Sequence, residues 1–139
     1  MQFKENMVPL SFKMISERLK SIRLPDTDLV IGIGTGGIVP ASLVAFHLNA
    51  ELRVMVLNYR DENNNPRHEN PEILVLPDKQ DLLGKKILIV DDVSVSGKTL
   101  SKAKELLADY QVETLTLKGK ADYVLFPEIQ DCVAWPWKV

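Results

Sequence analysis

The sequence predicts an α/β fold in which helices flank a parallel-centred sheet, with a small C-terminal hood. Two observations support this fold class. Predicted strands alternate with predicted helices along most of the chain, and the central strands are continuous apolar runs rather than alternating patterns. Continuous apolar strands are typical of parallel sheets that are covered on both faces. With 139 residues, the chain 1–139 is expected to form a single domain.

The first half of the chain contains two predicted helices and two predicted strands. Apolar residues recur at helical spacing over Pro9–Ile22, and Pro9 suits the first turn of that helix. The apolar run Leu29–Ile33 predicts a buried strand, which a glycine cluster follows. The segment Ile38–Leu48 predicts the next helix, and Leu52–Leu57 predicts the next strand.

The polar segment Tyr59–Pro71 interrupts this alternation. It is rich in Asn, Pro and charged residues and has almost no apolar side chain to bury. Such a segment cannot offset its own ordering entropy, so we expect a mobile loop. Because long loops in small domains often act as lids, Tyr59, Arg60 and Arg67 are candidate site residues.

The second half of the chain returns to strands and one helix. The run Lys86–Val90 predicts a buried strand that ends in an acidic pair. Leucine and alanine at helical spacing predict a helix over Gly97–Ala108. Four further apolar stretches predict strands or short extended pieces: Ile73–Leu76, Val112–Leu117, Tyr123–Leu125 and Val133–Ala134.

Composition narrows the class of protein. Lys and Arg total 17 and Asp and Glu total 19, so the net charge of −2 argues against a strongly basic nucleic-acid binder. No apolar run is long enough to span a bilayer, and the N-terminal residues have no signal-peptide character. The single cysteine, Cys132, fits a reducing compartment. We therefore expect a soluble cytoplasmic protein without a membrane partner.

Three short patterns suggest other nucleotide-binding classes. The spacing Gly32-x-Gly34-x-x-Gly37 matches a dinucleotide fingerprint, but the acidic residue expected after the next strand is missing. The run Ser96–Thr99 resembles the end of a P-loop, but Asp92 stands where that motif needs glycine. The acidic pair also resembles the start of a receiver domain, which needs more chain after it than the 47 residues that follow Asp92 here.

A longer pattern accounts for both the glycine cluster that follows Ile33 and the acidic pair that follows Val90. The run from Ile87 to Leu100, with its apolar strand, two acidic residues and Ser-Gly-Lys-Thr turn, resembles the phosphoribosyl pyrophosphate (PRPP) signature of the type I phosphoribosyltransferases. The segment Val30–Ala41 is similar to the pyrophosphate loop of that family, and Tyr59–Pro71 falls at the position of its flexible loop. The short chain looks most like the bacterial xanthine-guanine and hypoxanthine branch.

The residue types in these loops suit the ligand that the resemblance implies. Backbone N–H groups at a helix N-terminus can hold a 5-phosphate, which assigns that role to Val95, Ser96, Gly97, Lys98 and Thr99. Backbone N–H groups of the glycine loop can hold pyrophosphate, which assigns that role to Gly34, Thr35, Gly36 and Gly37.

The acidic pair and the C-terminal half complete the expected site. The resemblance implies that Asp91 and Asp92 are catalytic residues that bind the ribose hydroxyls and hold Mg²⁺, mostly through ligand and water. By the same resemblance, the candidate base-binding residues are Lys118, Lys120, Val133 and Trp135.

The resemblance implies a Mg²⁺-dependent transferase of purine salvage, which moves 5-phosphoribosyl from PRPP to a nucleobase, with purine favoured, and releases pyrophosphate. It also implies a homo-oligomer, either a dimer or a tetramer. Two departures keep an alternative open. Val95 stands where purine-specific members carry Asp, and Thr35 stands where a basic residue is common. The alternative is a non-catalytic regulatory protein that binds PRPP or a nucleotide.

Overall fold

The computed structural model describes residues 7–58 and 72–138 and arranges them as strands and helices in alternation. The strands are β1 (Val8–Pro9), β2 (Leu29–Gly34), β3 (Glu51–Asn58), β4 (Glu72–Val75), β5 (Lys86–Ser94), β6 (Gln111–Gly119), β7 (Tyr123–Val124) and β8 (Val133–Ala134). The helices are α1 (Phe12–Ser21), α2 (Ile38–Leu48), α3 (Lys79–Leu82) and α4 (Lys98–Leu106).

Six of these strands form one sheet, in the order β4-β3-β2-β5-β6-β7. Every neighbouring pair in it is parallel except β3 and β4, which are antiparallel. The strands β1 and β8 pair in parallel as a separate two-stranded sheet, which forms the C-terminal hood. The predicted fold class, a parallel-centred α/β sheet with flanking helices and a hood, is therefore confirmed.

Two apolar clusters cover the two faces of the main sheet. On one face, α1 and α2 pack over β2, β5 and β6, with Ile15, Val44 and Leu88 fully buried. On the other face, α4 packs over β5 and β6, and the apolar cluster extends across β2 and β3, with Ile31, Met55 and Ile89 fully buried. Both faces are buried because each apolar strand has helices above and below it, as continuous apolar strands require.

The first helix begins later than the sequence predicts. Pro9 lies in β1 and not in the first turn of α1, and Ser11 caps the helix by accepting a 3.1 Å hydrogen bond from the N–H of Met14 through its side chain. The cause is a tertiary pairing, since Val8 pairs with Val133 and its N–H donates to the Cys132 carbonyl at 2.8 Å. A local pattern cannot reveal a partner more than 120 residues away.

The strands β5 and β6 are also longer than predicted, because they stay paired through Ser94 and Gly119. The pairing of β2 with β5 ends earlier, at Gly32 and Val90. Beyond that point β2 pairs only with β3, so a crevice opens between β2 and β5 at their carboxyl ends. This is the switch point of the sheet, since β2 continues into α2 on one face and β5 into α4 on the other.

The predicted mobile loop Tyr59–Pro71, with Tyr59, Arg60 and Arg67, lies outside the described residues. Among the helices that the structure describes, none has the length and apolar character needed to span a bilayer.

Candidate functional site

The glycine loop after β2 sits directly against the end of β5. A Cβ on Gly37 would lie 2.7 Å from the carbonyl oxygens of Ile33 and Val90, and a Cβ on Gly36 would lie 2.7 Å from Oδ2 of Asp92. Both distances are far below van der Waals contact. Only glycine fits at position 37, where the close atoms are backbone oxygens, whereas a side chain at position 36 would displace the Asp92 carboxylate. The predicted pyrophosphate loop and the acidic pair therefore form one continuous surface in the crevice between β2 and β5.

The two carboxylates differ in their surroundings. Asp91 is buried, and its Oδ1 accepts a 2.8 Å hydrogen bond from the N–H of Asp92. Asp92 is half-buried, and its Oδ1 accepts a 2.7 Å hydrogen bond from the N–H of Val93. Burial, together with the neighbouring Asp92 carboxyl, raises the pKa of Asp91 to about 8. In the ligand-free site Asp91 therefore holds a proton at neutral pH, whereas the Asp92 carboxyl faces Gly36 at the crevice.

The turn from Val95 to Thr99 leads from β5 into α4. Gly97 caps the helix with a φ of 82°, a left-handed conformation that a side chain would strain. The N–H of Lys98 donates to Oγ of Ser96 at 3.3 Å. The first-turn N–H groups of a helix have no carbonyl partners within the helix, so this end of α4 offers donors and a positive dipole end to an anion.

A cavity of about 350 Å³ lies next to this turn, beyond the ends of β5 and β6. A ligand pocket for a small molecule is typically of this size. Its lining combines apolar side chains with two lysines: Val93, Ser94, Val95, Lys118, Gly119, Lys120, Pro127, Ile129 and Gln130. The Val95 side chain is 80% exposed, so an apolar group faces the open cavity.

The cavity wall that the ends of β5 and β6 form depends on Gly119. Its φ is 105°, and a Cβ there would lie 2.0 Å from the carbonyl oxygen of Ser94. That same carbonyl accepts a 2.8 Å hydrogen bond from the N–H of Lys120. The two strand ends thus approach more closely than side chains would permit, which places Lys118 and Lys120 beside Ser94 and Val95.

Arg18 of α1 anchors the segment 125–128, which leads into the cavity lining. The Arg18 guanidinium lies over the Phe126 ring, 4.3 Å from its centroid, and donates to the Leu125 carbonyl. It also forms a two-point ion pair with Glu128, with distances of 2.6 and 3.0 Å. This hydrogen bonding to Arg18 lowers the pKa of the Glu128 carboxyl to about 2. The cavity-lining residues Pro127 and Ile129 are next to these anchored positions.

The structure brings most of the predicted site residues to one edge of the sheet. Asp91, Asp92 and the glycine loop meet at the crevice, the turn 95–99 follows directly after β5, and Val95, Lys118 and Lys120 line the adjacent cavity. Two of the predicted base-binding residues lie elsewhere. Val133 is buried in the hood, and Trp135 is buried in the core, where its ring stacks on Trp137 at a centroid distance of 5.2 Å. Neither lines the cavity.

One segment that lines the cavity was not predicted from the sequence. Pro127, Ile129 and Gln130 line the cavity, yet they lie in an irregular stretch without periodicity or a recognisable motif. No sequence pattern singles out Arg18 either, because its hydrogen-bond partners are more than 100 residues away. Only the folded chain connects these residues to the site.

The described residues supply few metal ligands on their own. Among the described residues, 7–58 and 72–138, no group of three or more His, Cys, Asp or Glu side chains is placed to hold a metal ion. Two adjacent carboxylates remain, Asp91 and Asp92, which are hard oxygen donors of the kind that Mg²⁺ prefers. An ion here needs further oxygen ligands from a bound molecule or from water.

Comparison with protein families agrees with this architecture. The family described as "Phosphoribosyl transferase domain" matches residues 9–132. Among solved structures, a purine phosphoribosyltransferase from Pyrococcus horikoshii has a TM-score of 0.76 and 25% identity, covering 96% of this chain and 95% of that one. A hypothetical protein from Neisseria gonorrhoeae, solved with bound ppGpp, has a TM-score of 0.72 and 25% identity, covering 96% of this chain and 90% of that one.

Curated relatives carry two kinds of name. The orotate phosphoribosyltransferase of Sulfurisphaera tokodaii is 32% identical over 93 residues, which is 67% of this chain and 43% of that protein. The transcriptional regulator GfcR of Methanococcoides burtonii is 33% identical over 96 residues, which is 69% of this chain and 45% of that protein. The matched region is therefore less than half the length of either of these relatives.

Proposed function

Because the chain belongs to the phosphoribosyl transferase domain family, we propose that it transfers 5-phosphoribosyl from PRPP to a nucleobase and releases pyrophosphate. A purine acceptor is favoured, in keeping with the likeness to the Pyrococcus horikoshii purine enzyme. The observation that carries the proposal is the contact of the glycine loop with the acidic pair, beside a helix N-terminus and a cavity.

Each part of PRPP has a matching surface in this arrangement. The turn 95–99 and the N-terminus of α4 bind the 5-phosphate through backbone N–H groups and the hydroxyls of Ser96 and Thr99. The glycine loop, residues 34–37, binds the pyrophosphate. Asp92, whose carboxylate faces that loop, accepts hydrogen bonds from the ribose hydroxyls. The ribose C1 then lies between the leaving pyrophosphate and the cavity.

The donor set at the crevice suits Mg²⁺ held largely through the ligand. Asp91 and Asp92 would hold the ion through their carboxylate oxygens, together with oxygens of the bound ligand and of water. When bound, Mg²⁺ supplies charge stabilisation for the leaving pyrophosphate. A cation held there would favour the ionised form of the buried Asp91, because nearby positive charge stabilises a carboxylate.

The reaction breaks the bond between C1 and the pyrophosphate oxygen and forms a bond from C1 to a nitrogen of the base. Charge develops on the ribose ring in the transition state, as in glycoside hydrolysis. The chain contributes mainly by positioning. The β5–α4 turn fixes the phosphate end, and the cavity holds the base next to C1, which replaces a bimolecular encounter by an oriented one.

A second candidate function is binding without turnover. Val95 places an exposed aliphatic group, which cannot exchange a proton, in the proposed base cavity. Some relatives are named as transcriptional regulators, and a structural neighbour was solved with bound ppGpp. In this reading the same crevice binds PRPP or a nucleotide as a signal.

The two functions are separated by measuring pyrophosphate release and ligand binding together. The protein is incubated with PRPP, Mg²⁺ and a panel of bases while pyrophosphate is assayed, and its melting temperature is recorded with and without each ligand. If the protein transfers 5-phosphoribosyl, pyrophosphate should be released only when a suitable base is present. Mg²⁺-dependent stabilisation by PRPP without any release would refute transfer and favour the regulator.

Two variants locate the site. Asp92→Ala removes the carboxylate at the glycine loop, and Gly97→Val strains the phosphate turn. Both are expected to abolish stabilisation by PRPP. The control is Asp26→Asn, which removes an exposed carboxylate paired with Lys86 at the opposite, amino end of the strands. Unchanged melting shifts in both site variants would refute this location.

A further inference from the structure

A buried hydroxyl in the main sheet lacks a hydrogen bond. The Thr116 side chain of β6 is fully buried, and its Oγ1 has no hydrogen-bond partner among the residues that the structure describes. A buried hydroxyl without a partner costs free energy, because it has given up its hydrogen bonds to water and gained none in exchange. Valine has a similar shape and carries no such cost. The hydroxyl of Thr116 is therefore a candidate for a role that the ligand-free site does not use.

The neighbour of Thr116 in β5 is Asp91. The two residues are direct partners in the parallel pairing of β5 and β6. The preceding pair, Val90 and Leu115, belongs to the apolar cluster on the face that α1 and α2 cover. Because side chains alternate between the faces of a sheet, Thr116 and Asp91 both point to the opposite face, where α4 packs. Paired strands lie about 4.8 Å apart, so a change of side-chain rotamer brings the hydroxyl within hydrogen-bond distance of the carboxyl.

A second buried threonine on the same face of β6 shows the contrast. The Thr114 hydroxyl donates to Oδ2 of Asp122 at 3.0 Å and accepts from the N–H of Asp122, also at 3.0 Å. The partner of Thr114 in β5 is the apolar Ile89. The Thr114 hydroxyl therefore belongs to the framework of the sheet, whereas the Thr116 hydroxyl faces a carboxyl of the proposed site.

We propose that Thr116 is a positioning residue: when PRPP occupies the crevice, its hydroxyl donates to the Asp91 carboxylate and holds that carboxylate in the orientation that faces the ribose. The inference rests on the proposed function and adds a residue to the same site. Since Oδ1 of Asp91 already accepts from the N–H of Asp92, the hydroxyl donates to Oδ2. Thr116 is fully buried, so it acts on the ligand through Asp91 and not by direct contact. Hydrogen bonds to carboxylates are strong, so the loss of this one is measurable as a loss of ligand affinity.

Two substitutions at position 116 separate the hydroxyl from the packing of the side chain. Thr116→Val keeps the shape and removes the hydroxyl, whereas Thr116→Ser keeps the hydroxyl and removes a methyl group. In the ligand-free protein, measured in EDTA, Thr116→Val should melt about 3 °C above wild type, because a buried hydroxyl without a partner has been removed. Thr116→Ser should melt below wild type, because the missing methyl group leaves a void in the sheet.

The affinity for PRPP should follow the opposite order. Calorimetric titration with PRPP in the presence of Mg²⁺ should give a Kd about tenfold higher for Thr116→Val than for wild type, the loss expected for one hydrogen bond to a charged group. The Kd of Thr116→Ser should stay close to the wild-type value, because the serine hydroxyl can still donate to Asp91. A residue with a merely structural role would lose stability and affinity together, so the opposite orders identify a positioning role.

Thr114→Val is the matched control. It removes a hydroxyl from the same face of the same strand, but one that is hydrogen-bonded to Asp122, so it should lower the melting temperature and leave the affinity for PRPP unchanged. The inference is overturned if Thr116→Val melts below wild type or binds PRPP as tightly as wild type. It is also overturned if Thr116→Ser loses as much affinity as Thr116→Val, or if the wild-type protein does not bind PRPP.

These titrations also separate the inference from the proposed function when they are combined with the pyrophosphate assay. If the variants follow the expected orders but no base yields pyrophosphate, the transferase proposal fails and the role of Thr116 stands. If pyrophosphate is released and Thr116→Val binds PRPP as tightly as wild type, the transferase proposal stands and the inference fails.

Discussion

The buried Asp91 carboxyl should make the ligand-free protein less stable as the pH rises. Its pKa is about 8 in the folded chain, against an ordinary value of 3.8. Between these two values the folded protein holds a proton that the unfolded chain has released. Folding therefore becomes less favourable with increasing pH in this window, because a group with a raised pKa loses its contribution as the pH rises through that window.

The magnitude follows from the number of protons involved. One proton difference changes the free energy of unfolding by about 1.4 kcal/mol per pH unit, which amounts to about 2.7 kcal/mol between pH 5 and pH 7. Among the described residues, the carboxyls whose pKa values are lowered are those of Asp122 and Glu128, and they contribute their pH dependence at more acidic pH, outside this range.

The test compares the wild-type protein with Asp91→Asn in EDTA. Asparagine keeps an oxygen that can accept the N–H of Asp92, now at 2.8 Å, and it cannot ionise. Urea denaturation at pH 5, 6 and 7 should show the variant gaining about 2.7 kcal/mol relative to wild type across the series. The control Asp26→Asn, at an exposed carboxylate, should run parallel to wild type. If Asp91→Asn also runs parallel, the reasoning about its burial is refuted.

Two further predictions concern the framework of the site. Gly119→Ala should destabilise the protein by about 3 kcal/mol or more, because its positive φ is combined with a Cβ position 2.0 Å from the Ser94 carbonyl oxygen. Gly84→Ala is the control, since its φ is also positive but no atom lies within 4 Å, and it should lose only about 1 kcal/mol in urea denaturation; equal losses would contradict the steric argument. Asp122→Asn should cost about 1 kcal/mol at pH 7, because the Asp122 oxygen that accepts hydrogen bonds from both the N–H and the hydroxyl of Thr114 loses its negative charge, and hydrogen bonds to a charged acceptor are stronger than those to a neutral amide. Burial raises the pKa of Asp122, but these hydrogen bonds outweigh burial and lower it overall, so the difference from wild type should shrink as the pH falls below 3.8; a constant difference down to pH 2.5 would refute the assignment.

Local patterns determined the elements and the loops that carry the proposed chemistry. The apolar runs around Ile31 and Ile89 predict buried parallel strands because a strand covered on both faces has no polar side to show. The glycines after β2 and the acidic pair after the apolar part of β5 are recognisable because their backbone and charge requirements are encoded in consecutive residues. The rule that ligands bind at the carboxyl ends of such strands then places both loops at one edge.

The tertiary structure alone decided how these loops meet and what closes the cavity. The contact of Gly36 with the Asp92 carboxylate depends on β2 and β5 being neighbours that diverge after Gly32, which no local pattern encodes. Likewise, the segment that leads to Ile129 in the cavity wall is anchored by Arg18. The strand β1, which forms where the sequence predicts the first helical turn, depends on pairing with Val133. These interactions join residues that are far apart in sequence, so their energy appears only after the chain has folded. The sequence therefore specifies which groups are available, and the fold decides which of them face one another.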